Sequence, residues 1–313
     1  MIQKRVVGIV GTGNVGVAAA YSLFNQGLAS EIILVDKDRR RAEGEAMDLM
    51  HGQALVGRVR VRAGGYEDLV NAQIVVITAG ANQRPGESRL DLLNRNVAIF
   101  REIVGNLYEH APNAILIVAT NPVDIITYVI QELGRRPYTH VIGTGTMLDT
   151  IRFLALLGQH YCVNPSSIHA DILGEHGDTE VPIWSNASVE GIPIFERTVL
   201  GRHWDRETLN GLFENVRRAA YEIIERKGYT NLAIGLVIAR LVQIMLNDQK
   251  TVVPLSVRLR GEYGINNVCL SVPCVIGING IEATVLPELH DEELKGICHS
   301  AQVLRDSLDG LDL

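Results

Sequence analysis

Gly11-Thr12-Gly13-Asn14-Val15-Gly16 separates the apolar run 6–10 from a helix-like segment, 15–26. Between a strand and a helix, glycines at this spacing make a phosphate-binding turn: Gly11 permits the bend, Gly13 admits a pyrophosphate to the backbone, and Gly16 lets helix and strand touch. Asn14 and Val15 open the helix whose first N–H groups would face that anion. Asp36 ends the next apolar run, twenty positions after Gly16, where a carboxylate can accept hydrogen bonds from ribose hydroxyls. A glycine motif alone is weak; strand, helix and carboxylate together point to a dinucleotide. The charge of Asp36 opposes the 2'-phosphate of NADP, so NAD is the expected cofactor. Arg39, Arg40 and Arg41 are consecutive on a helix, point in different directions and read as a solvated face.

Outward from this turn, the β-rich runs 6–10, 32–35, 74–77 and 115–118 alternate with the helix-length segments 15–26, 38–49 and 90–110. Alternation of this kind predicts an α/β fold, a doubly wound parallel sheet of Rossmann type, over residues 1–143. The regularity then weakens. A helix over 148–158, strands near 168–173 and 181–184, a long helix over 206–226 and a β-rich stretch from Val252 predict a mixed α+β catalytic domain over 144–313. A length of 313 residues suits two domains, and the absence of a low-complexity linker predicts that they pack closely.

Charge and composition narrow the partners. A net charge of -7 and a pI near 5.7 give no basic footprint for nucleic acid. Gly11 interrupts the first apolar run too early for a signal peptide, and no stretch reaches the roughly 18 to 20 apolar residues of a membrane span. Cys162, Cys269, Cys274 and Cys298 form no Cys-x-x-Cys pair, which fits reduced thiols in a cytoplasm. None of the nine histidines falls in a zinc-ligand spacing with them, and no metal is expected.

Two further groups carry chemistry. Gly174-Glu175-His176-Gly177-Asp178 places a histidine between glycines, and an imidazole exchanges protons near neutral pH when a carboxylate fixes its tautomer. Glu175, Asp178 and the distant Asp149 are all candidates for that carboxylate, and spacing does not choose among them. In Leu148-Asp149-Thr150-Ile151-Arg152-Phe153, Asp149 and Arg152 share a helix face, either as a surface ion pair or with the guanidinium free to grip a substrate carboxylate. A dinucleotide, a proton carrier and a carboxylate clamp together describe hydride transfer at a hydroxy or keto acid.

These residues, with Ala119-Thr120-Asn121-Pro122-Val123-Asp124, Lys227-Gly228-Tyr229-Thr230 and Ser271-Val272-Pro273, occur in an order that resembles the lactate and malate dehydrogenase family along nearly the whole chain, with the L-lactate dehydrogenases as the nearer branch. The resemblance implies His176 as catalytic acid and base, Asp149 as its carboxylate partner, and Arg152 on the substrate carboxylate. It implies Arg89 at the reacting carbonyl, Asn121 beside substrate and nicotinamide, Thr230 near the substrate side chain and Ile234 on the nicotinamide face. Thr78, Ala79 and Gly80 complete the expected cofactor contacts, and the Asn121-Pro122 bond is a candidate for the cis form. Glu175 and Asp178 then read as structural. The implied ligands are NAD and pyruvate or lactate, in a cytoplasmic homotetramer serving glycolysis and fermentation.

Specificity centres on the loop Gly80-Ala81-Asn82-Gln83-Arg84-Pro85-Gly86-Glu87-Ser88-Arg89. Its Gly and Pro suit a moving lid. In the malate dehydrogenase branch an arginine stands where this chain has Gln83, and a neutral amide leaves a second substrate carboxylate unpaired, which predicts pyruvate over oxaloacetate. Arg84 is the adjacent cation that would counter this if it turned inward. Many bacterial relatives are activated by fructose 1,6-bisphosphate through a histidine at the position of His169 and an arginine where this chain has Leu154; that leucine argues against strong activation. A malate dehydrogenase is the competing enzyme reading, and an NAD-sensing protein without turnover is the competing non-enzyme.

Overall fold

The computed structural model describes residues 4–81 and 89–311, with the side chain of Arg89 excepted. In the first half, β1 (Val6–Val10), α1 (Asn14–Asn25), β2 (Glu31–Val35), α2 (Arg39–His51), the short α3 (Gln53–Val56), β3 (Arg60–Ala63), β4 (Ile74–Ile77), α4 (Arg89–His110), β5 (Ile115–Val118), α5 (Val123–Leu133) and β6 (Val141–Gly143) follow one another. The six strands pair in parallel in the spatial order β3-β2-β1-β4-β5-β6. Every residue of β1, β2, β4 and β5 is buried, as sheets covered by helices on both faces require. The order reverses between β1 and β4, and Val10 stands level with both Val35 and Ile77. A crevice therefore opens at the carboxyl ends of these strands, the usual binding place in open α/β sheets.

Sequence reading left β3, β6 and α5 unassigned for separate reasons. Arg60 and Arg62 break the apolar run of β3, an edge strand. Only three residues form β6. The Val-, Ile- and Thr-rich sequence of α5 disfavours a helix locally, yet its apolar face is buried in the core.

Beyond residue 143 the chain forms α6 (Met147–Tyr161), the two-residue strands β7 (Ile168–His169), β8 (Ile172–Leu173), β9 (Val181–Pro182), β10 (Ser188–Val189), β11 (Ile192–Pro193), β12 (Thr198–Val199) and β13 (Arg202–His203), then α7 (Arg206–Lys227), α8 (Leu232–Leu246), β14 (Thr251–Arg260), β15 (Asn266–Gly277), β16 (Gly280–Thr284) and α9 (Asp291–Leu308). The strand expected over 168–173 is two strands: β7 pairs with β10, whereas β8 pairs with β9. The strand expected over 181–184 stops at Pro182, and a 3-10 turn, Trp184–Asn186, follows.

The β-rich stretch folds as an antiparallel meander, β14 to β16, that joins the first sheet through Ser256 opposite Gly143. Among the described residues the result is one mixed sheet of nine strands, β16-β15-β14-β6-β5-β4-β1-β2-β3. The larger apolar cluster lines this sheet. A second cluster gathers Phe153 and Leu157 of α6, Trp184, and Phe213 of α7, with the Phe153 and Trp184 rings edge to face at 5.0 Å. It anchors α6, which carries Asp149 and Arg152.

Candidate active site

The glycine turn lies at the mouth of the sheet crevice. Gly11 has φ +102°, a conformation that side-chain-bearing residues rarely adopt, and its N–H donates to the carbonyl of Val35 at 2.8 Å. The hydroxyl of Thr78 donates to the carbonyl of Gly11 at 2.7 Å, tying the end of β4 to the turn. Gly13 caps α1 with no side-chain hydrogen bond, no acidic residue occupies the first helical turn, and a Cβ on Gly13 would meet nothing within 4 Å. The free N–H groups and open space fit a pyrophosphate.

Asp36 accepts from both the N–H and the hydroxyl of Thr12, at 2.6 and 2.8 Å, and from the N–H of Asp38 at 2.9 Å. Part-burial works against its charge, but these hydrogen bonds and nearby Arg41 hold the carboxyl below its usual range. A fixed anion at this place suits ribose hydroxyls and opposes a 2'-phosphate. Arg39 turns away to pair with Glu43.

Across the crevice, α6 and the turn after β8 meet. Asp149 is buried in the first turn of α6, where the helix dipole favours an anion. Its Oδ2 lies 2.5 Å from Nδ1 of His176, and its Oδ1 accepts from Nη1 of Arg152 at 3.0 Å. Burial disfavours both charged partners. Each opposes that effect in the other: Asp149 raises His176 to about 9, and His176 with Arg152 keeps Asp149 below the usual carboxylate range. The pair is thus imidazolium and carboxylate at neutral pH. With Nδ1 engaged, Nε2 is the nitrogen that remains for a substrate, on a side chain 23% exposed.

Of the three carboxylates open in the sequence, geometry selects Asp149. Glu175 instead accepts from the Thr179 hydroxyl, and Asp178 from Tyr221 at 3.2 Å. Two groups escaped sequence reasoning. Asp124 of α5 accepts the backbone N–H of His176 at 2.8 Å, and Glu180 brings a second carboxyl within 4.8 Å of the His176 and Asp149 donor atoms. A buried acid within the apolar Val123–Leu133 helix was the available signal for Asp124; Glu180 had none. His176, Asp149 and Glu180 could in principle ligate a metal, but the first two are bonded to each other beside the cation of Arg152.

A family model described as the lactate/malate dehydrogenase NAD binding domain matches residues 5–143, and its alpha/beta C-terminal partner matches residues 146–311. The chain belongs to the lactate/malate dehydrogenase family. An L-lactate dehydrogenase of Salinibacter ruber is 63% identical over 308 residues, covering 98% of each chain. That of Thermus aquaticus is 45% identical over 306 residues, covering 97% of this chain and 99% of its own. The minor L-lactate dehydrogenase of Enterococcus mundtii, solved in a ligands-bound form, superposes with a TM-score of 0.95 at 41% identity, covering 98% of each chain. The expectations of an α/β Rossmann-type fold, NAD as cofactor and a dehydrogenase are borne out.

Within this lactate/malate dehydrogenase frame, the other expected site residues are placed as follows. Ala79 donates its N–H to the carbonyl of Val10 at 2.9 Å, and its own carbonyl accepts from the hydroxyl of Thr120 at 2.7 Å. Gly80 packs against the Thr120 methyl group. Asn121 is exposed at the start of the turn into α5, and its bond to Pro122 is cis. Thr230 is part-buried in the connection between α7 and α8, where Gly228 ends α7 in a left-handed conformation. Ile234 is part-buried on α8 against the main core. Leu154 packs on the second cluster, while the exposed His169 meets Asn186 at 3.0 Å. Gln83, Arg84, Pro85, Gly86 and the Arg89 side chain lie outside the described residues. Among the described residues no helix is long and apolar enough to cross a membrane.

Proposed function

We propose that this chain is an L-lactate dehydrogenase that reduces pyruvate to (S)-lactate with NADH and catalyses the reverse reaction. The observation that carries the reading is the double engagement of Asp149, which fixes an imidazolium and a guanidinium side by side across the crevice from the glycine turn. When bound, NADH supplies the hydride that the keto carbon receives. Gly11, Gly13, Asn14, Val15 and Gly16 hold its pyrophosphate, Asp36 its ribose, and Thr78, Ala79, Gly80, Asn121 and Ile234 the nicotinamide side.

Arg152 pairs with the pyruvate carboxylate through the guanidinium edge that Asp149 leaves free. His176 donates the Nε2 proton to the carbonyl oxygen, and neutral His176 takes it back in lactate oxidation. Asp149 stabilises the imidazolium and excludes the wrong tautomer. Arg89 polarises the carbonyl and stabilises the charge that develops on its oxygen. Thr230 borders the pyruvate methyl group, and Gln83 withholds the charge that oxaloacetate needs.

Exposed Ile224 on α7 and Leu232 and Leu236 on α8 give apolar surface for self-association, supporting a homotetramer. Reduced, unpaired cysteines support a cytoplasmic enzyme that regenerates NAD+ for fermentative glycolysis. Leu154 at the expected phosphate-binding position supports weak or absent activation by fructose 1,6-bisphosphate.

The test is NADH oxidation with pyruvate, oxaloacetate and a bulkier 2-keto acid in parallel. Pyruvate should give the highest kcat/KM by at least about tenfold, the scale expected for an unpaired charge in a closed site. A preference for oxaloacetate would assign the chain to malate instead, and cofactor binding without turnover of any keto acid would return it to the sensing class.

A further inference from the structure

Glu180 has a place beside the site but no role in the chemistry above. It precedes β9, its residue is 6% exposed, and its Oε1 is buried without a hydrogen-bond partner among the described residues. One of its carboxyl oxygens lies within 4.8 Å of donor atoms of both His176 and Asp149. The charged groups facing it are Asp149 and Arg152 from α6, His176 from its own turn and Arg217 from α7, with Asp124 of α5 bonded to the His176 backbone.

We propose that Glu180 is a positioning residue that stays protonated at neutral pH, occupying the place beside Asp149 as a neutral acid so that the pocket keeps the net charge a keto-acid anion requires. The proposal rests on the pyruvate-reducing reading for its substrate.

The argument is one of competition between two acids in one buried space. Two neighbouring carboxyls out of water cannot both ionise cheaply, and the better-supported one keeps the charge. Asp149 has direct hydrogen bonds to His176 and Arg152, whereas Oε1 of Glu180 has no partner among the described residues. Burial, with the charge of Asp149 added to it, pushes Glu180 up to about 9. The three groups then stand as imidazolium, carboxylate and neutral acid. Their summed charge is zero, and Arg152 adds the positive charge that receives the substrate carboxylate. An ionised Glu180 would cancel that charge and would also hold the proton on His176 more tightly. As pH rises, His176 and Glu180 shed protons over the same range, so the alkaline limit belongs to the cluster rather than to the imidazole alone.

Two measurements test this. Infrared difference spectroscopy of wild type minus E180Q at pH 7 should show the carbonyl stretch of a protonated carboxylic acid, and its absence would overturn the proposal whatever the protein turns over. In the apoprotein, E180Q should move the NMR titration midpoint of the His176 imidazole downward by about half a pH unit or more, because the imidazolium loses the support of an ionising neighbour. An unchanged or raised midpoint would overturn it as well. Should E180Q fold poorly, alkaline titration of wild type must abolish the same infrared band. Failure to reduce pyruvate with the band present would sink the substrate reading and not the protonation of Glu180.

Discussion

The backbone N–H of His176 donates to Oδ2 of Asp124 at 2.8 Å, joining residues 52 positions apart. Through this bond the helix that follows the Asn121-Pro122 turn holds the turn bearing His176 in place, so a group in the NAD-binding half fixes the backbone from which the imidazole projects.

Holding the turn in this way costs stability at neutral pH. Burial outweighs the hydrogen bonds that reach Asp124 from Ser256 and the His176 N–H, and raises the carboxyl from 3.8 to about 6. A raised carboxyl favours the folded state fully below the unfolded value and loses that contribution as pH rises through the folded one. D124N keeps an oxygen acceptor and removes the charge. Relative to wild type, it should therefore gain up to about 3 kcal/mol of unfolding free energy between pH 4 and pH 7. Denaturant titrations of both proteins across that range decide it, and a difference that does not vary with pH would sink the explanation.

The link between Asp149 and His176 makes a prediction about rate. Pyruvate reduction needs the imidazolium and should hold until pH approaches about 9, whereas lactate oxidation should rise over the same interval. D149N removes the carboxylate that most strongly opposes burial, so the midpoint should fall from about 9. Reduction at neutral pH should drop by about 10²- to 10⁴-fold. The stability linked to His176 has the matching sign: present below its unfolded value, it is lost as pH rises through about 9 in wild type and is largely missing in D149N. A wild-type midpoint retained in D149N would refute the assignment of Asp149.

What could be read from the sequence follows from the range of each interaction. The glycine turn, the buried runs of β1, β4 and β5 and the span of α4 are local signals: a turn, an unbroken apolar stretch or a helical period within a few residues. The partnership of His176 with Asp149 spans 27 residues, and spacing left it open against the adjacent Glu175 and Asp178. Likewise, nothing local in the β14 sequence says that Ser256 will stand opposite Gly143 and extend the sheet. Glu180 was invisible for the same reason: its character comes from burial and then from the charge of Asp149, and only the packing of α6 and its neighbours supplies both. Local chemistry was legible, and long-range electrostatics was not.

Gly13 and Gly16 belong to one motif but are required for different reasons, which substitution by alanine should separate. At Gly13 the backbone has φ -71° and a Cβ would meet nothing within 4 Å. G13A should therefore fold with stability changed by no more than about 0.5 kcal/mol. The added methyl would instead intrude on the space assigned to the pyrophosphate, and NADH affinity should weaken by about tenfold or more, equivalent to about 1.4 kcal/mol. At Gly16 a Cβ would lie 2.0 Å from the carbonyl oxygen of Gly11 and 2.7 Å from the Thr78 hydroxyl. Backbone cannot yield as a flexible side chain can, so α1 must move away from β1. G16A should lose about 1 to 3 kcal/mol in the absence of any cofactor. Thermal unfolding of the apoprotein and fluorescence titration with NADH measure the two effects independently. Equal loss of stability in both variants, or unimpaired NADH binding by G13A, would show that the turn does not divide its work between packing and phosphate contact.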